Sequence, residues 1–466
     1  MSKLNTKYIF SISMVSALGG LLFGYDWVVI GGAKPFYEKF FDIAQSPNLQ
    51  GWAMSSALLG CLVGAIVSGV FSDRYGRKKL LIFSAFLFTL SAIGTGASNH
   101  YNIFIIYRIL GGIGIGLASN LSPMYIAEVA PAAVRGKFVS LNQLTIVIGI
   151  LLAQLANWQI AEPVAPGASD GEILASWNGQ MAWRWMFWAE TIPAGLFFIL
   201  MFFVPESPRW LARKGKGAKV ERILARIGGP DYAHKEYSNI RETLDNETGK
   251  VNYRQLFEPG IKKVLLIGIV IAAFQQWCGI NVIFNYAEEV FEAAGYGVSD
   301  ILFNIVVTGS VNLVFTFVAI YTVDKLGRRA LMLMGAGGLA GIYALMGAAY
   351  YFNISGGILL FLVVLAIACY AMSLAPVTWV VLSEIFPNRI RGAAMAVATV
   401  SLWLASFILT YTFPLLNNAF GASGTFWLYG IICLGGLVFI FKKLPETKGK
   451  SLEEIEHEMI RSNSTN

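Results

Sequence analysis

Long apolar runs alternate with short polar segments along almost the whole chain. A helix needs about 20 apolar residues to cross the hydrocarbon core of a bilayer. The pattern predicts twelve such helices. Six centre near Leu18, Leu62, Phe88, Gly112, Gly149 and Phe197. Six more centre near Ile271, Leu313, Ala340, Ala368, Leu404 and Leu434. The longest polar stretch, Pro205 to Lys263, separates the two sets and is rich in Lys, Arg and Glu. The first run follows two lysines and continues through Gly-rich sequence without a small-residue cleavage site, so it is expected to be a retained span.

Composition agrees with this reading. The chain is 56% hydrophobic and 14% charged, where a soluble protein carries about 25% charged residues. The net charge of +7 sits in no single patch or tail, so nucleic acid is not an expected partner. Basic residues recur instead in alternate polar segments. Lys3 and Lys7 precede the first span, Arg74 to Lys79 follow the second, and Arg135 and Lys137 follow the fourth. The central stretch, the segments after spans eight and ten, and the C-terminal tail continue the series. Of the 35 Lys and Arg, just Lys34, Lys39, Arg108 and Arg184 fall elsewhere. The positive-inside rule then places both termini and the central stretch in the cytoplasm.

Cys61, Cys278, Cys369 and Cys433 all lie in apolar runs with no disulfide or metal spacing. They are expected to be small packing residues. His100, His234 and His457 are scattered, so no metal site is expected.

The chain also repeats itself. "SDRYGRKKL" after span two matches "VDKLGRRAL" after span eight; "AEVAPAAVRG" after span four matches "SEIFPNRIRG" after span ten; "VPESPRW" after span six matches "LPETKGK" after span twelve. Two copies of a six-helix unit are implied, which is the architecture of many secondary transporters. The expected domains are a bundle over 1–205, a cytoplasmic linker over 206–259, and a second bundle with a short tail over 260–466.

The repeated loops suggest a cytoplasmic latch. Asp73, Arg74, Gly76 and Arg77 form the first copy and Asp324, Gly327 and Arg328 the second. Glu128 with Arg135, and Glu384 with Arg391, are the expected ion pairs. Glycine permits the tight turn that joins the two helices. "GGIGIGLAS" from Gly111 lies in a span and lacks the strand and third glycine of a dinucleotide site, so close helix packing is expected there. Gly449-Lys450-Ser451 resembles the end of a phosphate loop, but Leu444 stands where a glycine is required. No ATP site, cofactor or nucleophile–base set is expected, so the chain is not expected to be an enzyme and must draw on a gradient.

Asp26, Arg108 and Glu190 fall within spans one, four and six. A charge at the bilayer centre costs roughly 2.5–3.5 kcal/mol on insertion scales. A static ion pair is one reading. The other is proton coupling: burial favours the neutral acid, a nearby arginine favours the ionised one, and movement between the two binds and releases a proton. Neutral amides in the spans point to the cargo. Gln143, Gln275, Gln276, Asn281 and Asn312 can donate and accept hydrogen bonds, and Trp379 and Trp403 can cover the C–H face of a ring. Interhelical hydrogen bonding is the alternative for any one amide. Gln275, Gln276 and Asn281 would not share a face of a straight helix, so a bend or unwound turn is expected at Gly279.

"GGLLFGYD", "SDRYGRKK", "YRILGGIGIGLASNLSPMYIAEVAPAAVRGK", "PESPRWL", "FQQWCGIN", "VDKLGRR", "LSEIFPNRIRG" and "PETKGKSLEEIE" follow in order along nearly the whole chain. They resemble the sugar porter family of the major facilitator superfamily, nearest its bacterial D-xylose–proton symporter branch. The resemblance implies twelve helices in two bundles, short cytoplasmic helices between them, and alternating access. It implies that Asp26 is the proton-linked aspartate and Arg108 its partner. It implies sugar contacts at Phe23, Gln143, Gln275, Gln276, Asn281, Asn312, Trp379 and Trp403. Three positions depart from the pattern. Ile150 and Leu402 stand where that branch has sugar-contacting glutamines, and Asn285, before Tyr286, stands where the outer gate usually has the first of two tyrosines.

The expected function is proton-coupled import of a monosaccharide, pentose or hexose, across a bacterial inner membrane by a monomer. The partners are sugar, protons and the bilayer. A passive sugar or polyol uniporter is the first rival. A non-transporting sugar sensor is the second, disfavoured by the short segment after the last span.

Overall fold

The computed structural model describes residues 4–132, 134–165, 167–246, 256, 258–354, 356–387, 390–450, 454–455 and 458–459. No strand occurs among them. The spans are α1 (Thr6–Phe40), α2 (Pro47–Tyr75), α3 (Arg77–Ala97), α4 (Tyr101–Val129) and α5 (Arg135–Ile160). They continue as α6 (Asn178–Phe203), α7 (Gly260–Asn285), α8 (Val298–Leu326), α9 (Arg328–Tyr351) and α10 (Gly357–Ile385). A last stretch, Arg391–Lys443, runs for 53 residues, more than twice what the hydrocarbon core takes. Gly421 breaks it at φ 66°, ψ 175°, giving α11 (391–420) and α12 (422–443). The described residues thus hold the twelve spans expected.

Several spans are interrupted where chemistry is concentrated. α6 opens with a π-helical turn, Asn178–Ala182, and is divided again at Glu190. π-turns are rare and occur often at functional sites. α7 stops at Trp277 and resumes at Ile280. Between them Gly279 adopts φ 84°, the left-handed region that glycine enters without steric cost. This is the bend expected from the spacing of the amides.

The polarity of the fold is that of a membrane protein. Large apolar side chains such as Ile192, Phe203, Phe361 and Ile431 are exposed, while Asp26, Arg108, Glu190, Gln275 and Asn312 are buried. Lipid accepts the former, and internal partners must satisfy the latter. Cys61, Cys278 and Cys433 are buried, Cys369 is half-buried, and all four are free.

The chain divides into two compact units. The first holds Met1–Asp26, Gly60–Gly149 and Phe187–Lys250; the second holds Trp27–Leu59, Ile150–Met186 and Val251–Asn466. In the first, Gly60 and Gly64 of α2 meet the backbone of Gly112 and Gly116 of α4, with no room for a Cβ. Small residues let membrane helices approach this closely, so the glycine run of α4 packs helices as expected. Helices Pro208–Arg213, Gly217–Gly228 and Pro230–Asn246 follow α6. Their apolar residues Trp210, Leu211, Val220, Leu224, Ile227 and Ala233 cluster with Ile9, Ile126 and Phe138.

Candidate functional site

Asp26 and Arg108 form a buried pair in the first unit. Each sits mid-helix in an apolar segment, so the only inexpensive way to keep both charges is to join them. Asp26 is 1% exposed and Arg108 2%. The Nη1 of Arg108 donates to Oδ1 of Asp26, and its Nη2 lies 3.4 Å from the Asp26 carbonyl. The guanidinium also lies over the Phe187 ring, 5.6 Å from its centroid. Glu190, 2% exposed, is near enough to interact electrostatically with both residues. Asp26 Oδ2 accepts no hydrogen bond among the described residues. The site therefore has two buried carboxylates, one guanidinium, and an oxygen free to take a proton.

Four of the five expected amides, Gln275, Gln276, Asn281 and Asn312, lie in the second unit. Asn281 donates to Oε1 of Gln276; Gln276 donates to Oε1 of Gln275 at 2.5 Å; Gln275 donates to the hydroxyl of Tyr370 at 2.5 Å. The chain crosses the break at Gly279, since Gln275 and Gln276 precede it and Asn281 follows. Asn312 and Trp403 are buried in the same unit, and Trp379 is half-buried. Trp403 lies 6.0 Å, centroid to centroid, from Trp27, which follows the acid in sequence. Phe23 and Gln143 are half-buried in the first unit. Tyr370 was not expected: an aromatic in an apolar run reads as packing, and nothing in its spacing marks the hydroxyl.

The two residues expected at the gate, Asn285 and Tyr286, pack tightly. A Cβ on Gly31 of α1 would lie 2.9 Å from the Phe284 carbonyl and 3.2 Å from that of Asn285. Tyr286 donates to the Thr410 carbonyl at 2.6 Å, and its ring packs tilted against Phe413, centroids 4.5 Å apart. Beyond it stands a cluster that the sequence reading passed over. Lys34 contacts Glu38, Glu288 and Glu289.

The loop motifs form two matching networks, with a correction to their pairing. Glu128 does not take Arg135: it receives Arg77 Nη2 at 2.9 Å and Nε at 3.2 Å, together with the Ser207 hydroxyl. Arg77 also reaches Asp73 at 3.1 Å. Glu384 takes Arg328 at 3.2 Å, while Arg391 donates to the Phe386 carbonyl at 3.2–3.3 Å. Arg77 and Arg328 begin α3 and α9, where helix packing brings them to the acid; Arg135 and Arg391 are merely nearest in sequence. Arg74 lies over Tyr75, 5.4 Å from the ring centroid. Gly76 and Gly327 adopt φ 94° and 90°, as the tight turn requires. The side chain of Asp324 lies outside the described residues.

Two more acids complete these networks. Glu206 accepts from the backbone N–H groups of Arg77 and Lys78, both at 3.1 Å. Glu446 accepts from those of Arg328 at 2.9 Å and Arg329 at 3.1 Å. Each satisfies the orphan donors at a helix start. Burial pushes the Glu206 carboxyl up, against the pull of its backbone donors. Partial burial acts the same way on Glu446, but four backbone donors outweigh it and hold that carboxyl below the usual range. The repeated "PES" and "PET" carried this signal. No cluster of three or more His, Cys, Asp or Glu able to hold a metal occurs among the described residues.

Comparison with known proteins gives the family. The model of the family described as "Sugar (and other) transporter" matches residues 12–459. The D-xylose-proton symporter of Escherichia coli (strain K12) is 41% identical over 97% of this chain and 96% of its own length. The arabinose-proton symporter of Bacillus subtilis (strain 168) is 39% identical over 97% and 96% respectively. The xylose transporter of E. coli, solved in an inward-open conformation, superposes with a TM-score of 0.83 at 39% identity, covering 96% of this chain and 99% of that one. The chain is an integral membrane protein with the major facilitator fold, and it belongs to the sugar (and other) transporter family.

Proposed function

We propose that this chain is a proton-coupled symporter that brings a monosaccharide, a D-xylose-like pentose or a hexose, into the cell by alternating access. The observation that carries the reading is the buried Asp26–Arg108 pair with Glu190 beside it. A static clamp would need one acid; here a second buried acid, Glu190, acts electrostatically on the same pair. When the arginine moves away, Asp26 gains a proton; when it returns, the proton leaves. The membrane potential adds about 2.3 kcal/mol per charge per 100 mV.

The sugar binds through Gln143, Gln275, Gln276, Asn281 and Asn312, with Phe23, Trp379 and Trp403 against its ring, and Asn285 and Tyr286 gate it from outside. Amides match the mixed donors and acceptors of hydroxyl groups. Relatives named as D-xylose and arabinose symporters support this cargo class. Ile150 and Leu402 make the site less polar than the xylose branch and shift its preference among sugars. Bundles 1–205 and 260–466 rock about the site, joined by 206–259. The latch residues hold the cytoplasmic ends shut when the protein faces outward. Both termini face the cytoplasm of a bacterial cell, as the basic segments direct, and the monomer is the working unit.

The test is uptake of a panel of labelled sugars into proteoliposomes under an imposed pH step. Wild type accumulates its sugar and alkalinises the medium. Asp26→Asn loses accumulation but keeps binding and exchange. Accumulation by Asp26→Asn overturns the coupling role; sugar uptake without alkalinisation favours passive uniport.

A further inference from the structure

Lys34 lies near the end of α1 away from the N-terminus, and its side chain is 3% exposed. Three carboxylates surround its ammonium: Glu38 at 3.1 Å, Glu288 at 3.1 Å and Glu289 at 2.8 Å. Glu38 belongs to α1. Glu288 and Glu289 belong to Ala287–Glu292, the short helix that continues α7. One ammonium thus ties two parts of the chain that are 254 residues apart.

The charges do not balance. With all three acids ionised, the cluster would carry two uncompensated negative charges. Gln50 donates to Glu38 Oε2 at 2.9 Å, and the Tyr286 ring faces Lys34 at 6.0 Å. Tyr37 also interacts electrostatically with the ammonium. The next groups outward bring no rescue: Glu292 is another acid, and Lys39 is matched by Asp170 at 3.5 Å. Glu289 Oε2 is buried without a hydrogen-bond partner among the described residues. A carboxyl there can hold hydrogen without losing its contact to Lys34, which uses Oε1.

We propose that Lys34, Glu38, Glu288 and Glu289 form a second proton-binding site, distinct from Asp26, which latches the outer ends of α1 and α7 while one of its acids is protonated. Burial pushes Glu289 up to about 8; Lys34 pulls it down, and Glu288 and Glu38 add to the rise. When the latch opens, water solvates Glu289 and its carboxyl returns toward the ordinary range near 4.3. Opening therefore releases a proton between about pH 5 and pH 8, and alkaline conditions outside favour it.

The experiment uses the full chain in lipid nanodiscs, with nitroxides at Gln45→Cys and Ala293→Cys, both exposed, and the four native cysteines replaced by alanine. Asp26→Asn is included, so that titration of that acid does not contribute and failure of the proposed coupling role leaves the result readable. Double electron–electron resonance gives the ratio of long to short distances from pH 5 to 9. The expected ratio rises about tenfold per pH unit up to about pH 8 and then flattens. Glu289→Gln, a neutral stand-in for the protonated acid, is expected to abolish the slope and keep the short distance at pH 8. Lys34→Met, which strands the buried acids, is expected to raise the ratio at pH 7 by about 100-fold or more. A ratio independent of pH from 5 to 8 overturns the proposal. So does a full slope in Glu289→Gln, or an unchanged ratio in folded Lys34→Met.

Discussion

Glu206 accepts a 3.1 Å hydrogen bond from the backbone N–H of Arg77. Glu446 does the same for Arg328 at 2.9 Å. Lys78 and Arg329, one residue further on, reach the Phe202 and Phe441 carbonyls, both at 2.7 Å. The two halves of the chain thus anchor α3 and α9 by the same device.

The twin caps respond oppositely to acid. Glu446, held below the usual range, contributes stability above its unfolded value that is lost as pH falls through its lower folded value. Glu206, pushed above the usual range, contributes stability below its unfolded value that is lost as pH rises through its folded value. Glu446→Ala is expected to cost about 1 kcal/mol at pH 7, as for other caps at exposed sites, and less at pH 4. Glu206→Gln is expected to gain on wild type between pH 4 and pH 7. Thermal unfolding in detergent across that range reads both; slopes of the same sign refute the assignment.

Replacing Gly60 should drive α2 and α4 apart. A Cβ there would lie 2.9 Å from Gly112 Cα, and backbone cannot yield as a flexible side chain can. Gly60→Val is expected to cost about 1–3 kcal/mol. Gly69 of the same helix has nothing within 4 Å, so Gly69→Ala should stay within about 0.5 kcal/mol of wild type. Equal losses in a thermal shift assay would mean that helix propensity, not approach, decides.

Tyr370→Phe should weaken sugar binding without unfolding the protein. Its hydroxyl receives the Gln275 amide at 2.5 Å and so fixes which way that amide points. Losing one such bond is worth about 0.5–1.5 kcal/mol, a rise of about twofold to thirteenfold in Kd by titration calorimetry. An unchanged Kd would remove Tyr370 from the site.

Glu128→Gln tests the latch. The substitution keeps the shape but removes the charge that Arg77 and the Ser207 hydroxyl engage. Charge-assisted bonds are worth about 1.5–3 kcal/mol, so sugar counterflow should change by about tenfold while equilibrium affinity moves less than about twofold. A change in affinity alone would make the network part of the binding site.

Some of this was legible in residue order. Asp26 stood out because an acid in an apolar run has few reasons to be there, and Arg108 was the matching cation. Gly279 was legible because three amides could not otherwise share a face. Pairings were harder. Arg135 is seven residues from Glu128, Arg77 fifty-one away, and only packing of α3 on α4 makes the second the neighbour. Lys34 falls outside the topology rule, and Glu288, one of its acids, lies 254 residues away in the chain. Tyr370 carries its message on one oxygen, invisible to any pattern of polarity.

Gly279 has a mechanical consequence. It divides α7 into two stiff rods that share one swivel, with Gln275 and Gln276 on the first rod and Asn281 on the second. The Gln276–Asn281 bond spans the joint. A ligand gripped from both rods would act as a splint, so that occupancy itself would set the angle of the helix.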